Sequence, residues 1–244
     1  MHRLRPVASR SLKQTQQETV DIRGRKIVVA VSVSHRCRNI SLRLDEKNGQ
    51  VQLVLPRFVS KAEGLRFVRE KARWVLRQID SLPPRVPFED GALVPLMGRD
   101  HVIRHRPDAR GVVWRVADEI HVAGQAEHLP RRVGDWLRRE ARQEIVARAD
   151  HYASRIGTRF SQVSLRDTRS RWGSCTEDGH LSFSWRLILA PEFVLDYVVA
   201  HEVAHLIELN HSLRFWKLVE LICTDNGRAR SWLKQNGLSL HRFG

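Results

Sequence analysis

The stretch "YVVAHEVAHLIELNHSLRFW", residues 197–216, sets three histidines and a glutamate inside one of the most apolar runs of the chain. His201 and His205 stand four residues apart, so on a helix both rings leave one face and can share a metal ion. Glu202 is rotated about 100° from His201 at helical pitch, close enough to serve a water at the metal without displacing it. A hydrolytic zinc site needs this division of labour, together with a third protein ligand and an open position.

His211 is the favoured third ligand. An unbroken helix would carry it roughly 15 Å from His201, too far for metal bonds of about 2.1 Å. The helix is therefore expected to end before His211, and Asn210, tolerant of the left-handed conformation that terminates helices, immediately precedes it. Glu208 is the rival, on nearly the same helical face as His201 and His205. Three ligands in line along one straight helix, however, cannot surround a metal tetrahedrally. Phe193, Val194, Leu195, Val198, Val199, Val203, Leu206, Ile207 and Leu209 take most of the helix circumference, so the polar group is expected to be half buried. Unpaired polar side chains there would cost a few kcal/mol, a cost that a metal removes. In such a site zinc brings the pKa of a water toward neutrality, and Glu202 takes the water proton and passes it to the leaving group. Peptide hydrolysis fits that machinery best.

Working outward, Pro191 falls in the first turn of this long helix. Before it, "FSQVSLRDT" reads as a strand, and "RSRWGSCTEDGHLSFSWRLILAP" as two strands joined at Asp178-Gly179. After it come an amphipathic "SLRFWKLVELIC" helix and a short "ARSWLKQNG" helix ended by Gly237. From Pro130 to about Ile156, Val133, Trp136, Leu137, Ala141, Ile145 and Ala149 form one helical stripe with arginines opposite. Glu140 and Glu144 lie within reach of arginine neighbours there.

The N-terminal half alternates in short β-rich runs. "KIVVAVSVS" precedes "RNISLRLDEKNGQVQLVLP", whose arms flank an Asn48-Gly49 turn. Ser60 and Glu63 have capping-box spacing at the head of one helix of about five turns. "PPRVPFEDGALVPLMG" is a loop or short connector. Residues 101–123 return to strands, where the i, i+4 spacing of His101 and His105 does not converge two rings as it would on a helix.

The expected fold is α+β: an antiparallel β-meander with a helix, then a half with a small antiparallel sheet and the H-E-x-x-H helix. The expected boundaries are a frayed basic N-terminus at 1–18, a β-rich subdomain at 19–128 and a catalytic domain at 129–244.

"RSRWGSC", the D-G turn, "LSFSWRLILAP", "LDYVVAHEVAHL" and "NHSLRFW" together resemble the YgjP-like metallopeptidase family, related to the SprT-like zincins. The "RNISLRLD...GQVQLVLP" hairpin and "FVREKARWVLRQ" extend that resemblance over nearly the whole chain. It implies a zincin-like catalytic half with His201, His205 and His211 holding one Zn²⁺ and Glu202 as acid/base. Ser184 departs from the pattern, which leads one to expect Asn before "WRL". An extended peptide could add to an edge strand beside the active-site helix, with "RSRWGSC" or its partner as that edge. Arg171 is a candidate to orient a substrate carbonyl or carboxylate. Trp172 is a candidate cleft wall, with core packing as its other reading. Tyr197 either reaches the oxyanion or makes a structural hydrogen bond, and Asp196 is either a partner of the site or a surface acid. Cys175 reads as a small buried residue rather than a nucleophile.

Lys and Arg number 42 against 27 Asp and Glu, a formal charge of +15 that attracts polyanions. A peptide or protein substrate is the first expectation. Two others are a metal-dependent nucleoside triphosphate pyrophosphohydrolase, without a Walker-type loop to support it, and a nucleic-acid-associated SprT-like protease. Three cysteines, odd in number and without a C-x-x-C pair, point to a reducing cytoplasm. The basic, acid-free first residues have no apolar segment behind them, and no run approaches the roughly 18 to 20 apolar residues of a membrane span. A cytoplasmic, membrane-free protein is expected.

Overall fold

The computed structural model describes residues 15–45, 49–168 and 171–244. Asn48 of the expected turn and residues 1–14 of the expected frayed segment lie outside them. The chain divides into two compact units, Met1–Leu82 and Pro83–Gly244. Residues 83–128, expected with the N-terminal part, thus group with the helices that follow, and residues 16–18 stand in a strand.

In the first unit, β1 (Gln16–Ile22), β2 (Arg25–Ser34), β3 (Ser41–Asp45) and β4 (Gln50–Pro56) form a sheet in the order β1-β2-β4-β3. This is not the expected antiparallel meander, because β2 and β4 pair parallel. β2 and β4 carry most of the buried strand residues, Ile27, Val29, Val31, Val51, Leu53 and Leu55. Strands so apolar take the two central places, and "SLRLD" is left at the edge. α1 (Lys61–Glu70) begins with the expected capping box between Ser60 and Glu63. The single long helix expected here breaks at Lys71 (φ −88°, ψ 18°), and α2 runs from Ala72 to Asp80. Val68 and Val75 close this small core.

The second unit repeats the strand order: β5 (Leu93–Leu96), β6 (Arg99–Arg106), β7 (Val113–Val116) and β8 (Glu119–Ala123) lie as β5-β6-β8-β7, again with a parallel central pair. His101 and His105 bond the carbonyls of Arg99 and Gly124, which accounts for both rings in the sheet.

α3 (Leu129–Arg155) buries the whole expected stripe, Val133 through Ala149. The expected pairing of Glu144 with an arginine neighbour is present, and it extends beyond this helix. Arg148 is bound by Glu144, Asp196 and Glu192, and Arg142 donates to the Val163 carbonyl.

A three-stranded sheet follows, with β10 (Gly173–Cys175) and β9 (Gln162–Arg166) on either side of β11 (His180–Ser184). β9 pairs parallel with β11, so this sheet is mixed rather than antiparallel. A 3-10 helix over Trp185–Leu189 leads into α4 (Glu192–Ala204), then α5 (Leu213–Ile222) and α6 (Asn226–Leu240). α6 runs past Gly237, the expected terminator. That glycine is buried, and a Cβ there would stand 3.0 Å from the Trp172 ring, so packing demands a small residue inside the helix. Among the described residues no helix is long and apolar enough to cross a membrane.

Candidate active site

α4 is buried almost all round, between α3, α5, α6 and β10. It ends at Ala204, six residues before Asn210. The chain leaves it through tightened bonds from Leu206 to Val203 and from Ile207 to Ala204. No left-handed residue is used, since Asn210 is absent from the positive-φ positions. The effect is the expected one: the chain turns back and His211 returns to the helix it has left.

His201, His205 and His211 each offer a ring nitrogen, and these atoms lie within 4.8 Å of one another. The Nε2 atoms of His201 and His211 approach to 3.1 Å. His205 Nδ1 is 2.9 Å from the Glu208 carbonyl oxygen. A carbonyl can only accept, so Nδ1 carries the proton and Nε2 keeps its lone pair, the device that commonly fixes a metal-binding imidazole. Glu208 thus enters the site through its backbone, and its side chain is not in the cluster. Tyr197 Oη lies 3.4 Å from His201 Nδ1, which places the phenol behind that ring.

Ser212 caps α5 by accepting from the Phe215 N–H. The helix therefore starts directly after His211 and directs fully buried Phe215 at all three imidazoles, with ring centroids at 4.8 Å (His201), 4.3 Å (His205) and 4.9 Å (His211). Burial holds the His201 pKa down to about 3, reinforced by the neighbouring histidines and by Arg230, and burial also lowers that of His205. Both rings are neutral and have lone pairs to give at pH 7.

Glu202 is 6% exposed. Burial pushes its carboxyl up to about 7, against the opposing charge of Arg171. Its side chain lies on the backbone of Gly173 in β10, where a Cβ would fall 2.5 Å from Oε1. Sequence reasoning missed Gly173. The signal available was a glycine between Trp172 and Ser174 in a strand, a common mark of close backbone approach.

The other singled-out residues separate clearly. Arg171 is exposed at the head of β10, near enough for its charge to act on Glu202. Trp172 is stacked on His241 at 5.1 Å, so its ring is committed to packing at the end of α6. Asp196 binds Arg148 and faces α3. Ser184 is buried and its hydroxyl accepts from the Arg186 N–H, starting the 3-10 helix. Burial and the Glu202 charge raise the Cys175 thiol to about 11, which keeps it a thiol at neutral pH. Sequence reasoning also missed Arg230, whose guanidinium lies 4.9 Å over the Trp216 ring.

Three imidazoles drawn together beside a buried carboxyl form a site that could hold a metal ion, and the class of the chain agrees with it. A family model described as "YgjP-like, metallopeptidase domain" matches residues 38–236, so the chain is a metallopeptidase. It belongs to the YgjP-like family. No curated protein matches it. Among solved structures it is similar to the metallopeptidase zymogen of Pyrococcus abyssi abylysin, with a TM-score of 0.35 and 21% identity, covering 41% of this chain and 97% of that one.

Proposed function

We propose that this metallopeptidase cleaves peptide bonds with one zinc ion held by His201, His205 and His211, and with Glu202 as general base and acid. The observation that carries this reading is the convergence of the three ring nitrogens within 4.8 Å, on the helix that also carries buried Glu202. The donor set fits the ion. Two nitrogens on one tetrahedral zinc, at about 2.0–2.1 Å each, stand about 3.3 Å apart, close to the 3.1 Å between His201 and His211. Three protein ligands leave a fourth position open, as a hydrolytic site requires.

The chemistry supplied by a bound zinc is Lewis acidity, which makes water a nucleophile near neutral pH and polarises the scissile carbonyl. Glu202, with its carboxyl near 7, takes the proton of the attacking water and delivers it to the departing amide nitrogen. Gly173 lets that carboxylate lie flat on β10. The Glu208 carbonyl and Tyr197 orient the rings of His205 and His201. β10, outermost in its sheet and packed against α4, gives an extended substrate a strand to pair with, in a zincin-like arrangement. Arg171 at its head is the group for a substrate carbonyl or carboxylate.

The test is Glu202→Gln. We expect one zinc per chain by elemental analysis and no peptide hydrolysis, whereas His211→Ala loses the zinc itself. Hydrolysis by the zinc-loaded Gln variant would remove Glu202 from the mechanism. Pyrophosphate release from nucleoside triphosphates by the wild-type protein, without peptide cleavage, would favour phosphoanhydride chemistry at the same site.

A further inference from the structure

We infer that Arg230 forms a subsite for a carboxylate of the peptide substrate, so that the enzyme selects peptides with an acidic group a short, fixed distance from the scissile bond. The inference rests on the peptidase reading above and adds a substrate class to it.

Arg230 stands on α6, and its guanidinium lies 4.9 Å from the centroid of Trp216. The Trp216 ring is in turn 5.9 Å from those of both His201 and His211. The guanidinium is thus no more than about three residues of extended chain from the histidines. It is also an arginine in waiting. Among the described residues no carboxylate lies within ion-pair distance of it. Arg228, two residues earlier on the same helix, has Asp225; Arg148 has three carboxylates, and Arg186 has Asp167.

The tryptophan narrows what such an arginine can do. A guanidinium over an indole face is held there by cation–π attraction, and its N–H donors remain available to an acceptor beyond the ring. The planar fork of those donors matches a carboxylate through two parallel hydrogen bonds. The geometry does not depend on the source of the carboxylate, which can be an Asp or Glu side chain or the C-terminus of the peptide. A lysine can also rest over a ring, as Lys71 does over Phe67, but it lacks the planar fork, so bidentate recognition belongs to the arginine on its tryptophan.

The experiment uses the zinc-loaded protein and a pool of synthetic decapeptides of randomised sequence, half with a free C-terminus and half amidated, with cut sites read by mass spectrometry. For the wild type we expect enrichment at one position within about three residues of the cut. The enrichment is for Asp and Glu if side chains are read, or for free over amidated ends if the terminus is read. Arg230→Met, which keeps an aliphatic stem on Trp216, should lose it by about tenfold or more, in KM rather than kcat. Arg230→Glu should turn it toward Lys and Arg. An acid preference unchanged in Arg230→Met, or no acid preference in the wild type, overturns the inference. So does a uniform fall in kcat over all peptides, which would place Arg230 on the reacting carbonyl.

A second arm does not need turnover. The same pool is passed over immobilised Glu202→Gln protein with and without Arg230→Met. Preferential retention of carboxylate-bearing peptides that disappears with Arg230→Met supports the subsite, and equal or no retention refutes it. Should the wild-type protein cut no peptide at all, the peptidase reading fails, and this arm still decides Arg230.

Discussion

The carboxylate of Glu202 lies on the backbone of Gly173, so close that a Cβ at that position would stand 2.5 Å from Oε1 and 2.7 Å from Cδ. Glu202 is itself buried in α4, with little room to retreat. Gly173→Ala should therefore push the carboxylate off its position while leaving the three histidines in place. Misplacement of a catalytic group by about 1 Å can cost about 100-fold in rate. We expect the Ala variant to bind one zinc and to lose about that factor in kcat/KM. Normal activity with normal zinc content would show that the Glu202 position is not critical.

Removal of the metal should be felt by the fold as well as by the chemistry. Fully buried Phe215 supports all three imidazoles, and His201 and His205 are held neutral by burial, so the metal-free site keeps donors in apolar surroundings with little to bind. A ligand that binds only the folded chain stabilises it by about 4 kcal/mol at a thousandfold excess over Kd. Chelator should lower the melting temperature, and added Zn²⁺ should restore it. In His205→Ala the melting temperature should no longer respond to either, and a response of wild-type size would place the bound metal elsewhere.

The sequence makes parts of this structure directly legible, and others only after the fact. The stripe from Val133 to Ala149 and the capping box at Ser60 are local patterns, and local physics enforces them. The histidine triad is also legible, because the ten-residue interval to His211 forces the chain to leave the helix wherever the exit falls. The exit at Ala204 rather than Asn210 is set by contacts the sequence does not display. Parallel pairing of β2 with β4, β6 with β8 and β9 with β11 joins strands that are not neighbours in the chain, so adjacent alternating runs suggest a meander instead. Gly237 looks like a helix stop, and Gly173 like an ordinary position in a strand. Each is small for a partner remote in sequence, Trp172 and Glu202.

The metal-free protein should carry a pH signature of Glu202. Its carboxyl is near 7 in the fold against an ordinary 4.5, so the folded chain holds a proton that the unfolded chain has released. Stability then falls as pH rises from about 4.5 to about 7 and is flat above. His201, drawn from 6.5 to about 3, works in the opposite sense and costs stability as pH drops below about 6.5. Comparison with Glu202→Gln isolates the first effect. Relative to the wild type, the metal-free Gln variant should gain about 2 kcal/mol between pH 5 and pH 8 in urea unfolding. Parallel pH profiles for the two proteins would show that burial does not hold the proton on Glu202.

Arg186 is 2% exposed, and its guanidinium is held by hydrogen bonds and by the Trp185 ring, 4.6 Å away. Nε and Nη2 donate to the Asp167 carboxylate at 2.6 and 3.2 Å, and Nη1 donates to the carbonyls of Leu240 and Phe243 at 2.9 and 2.8 Å. One side chain thereby joins the end of β9 to the segment after α6. Arg186→Met matches the apolar volume but removes the donors to two carbonyls and to the partly exposed Asp167 carboxylate, and should cost about 1–3 kcal/mol. Arg186→Lys keeps the charge but lacks the planar fork, and should recover only part of that. Urea unfolding measures the loss. Trp172 packs on His241 in the same C-terminal turn, so the tryptophan emission of the Met variant should shift toward that of an exposed indole before global unfolding. Zinc content should be unchanged below the unfolding transition, since Arg186 touches none of the three histidines. A stability loss under about 1 kcal/mol would mean that water or neighbouring donors replace the guanidinium, and that the C-terminal segment is held by its other hydrogen bonds, such as Arg242 Nε to the Pro83 carbonyl.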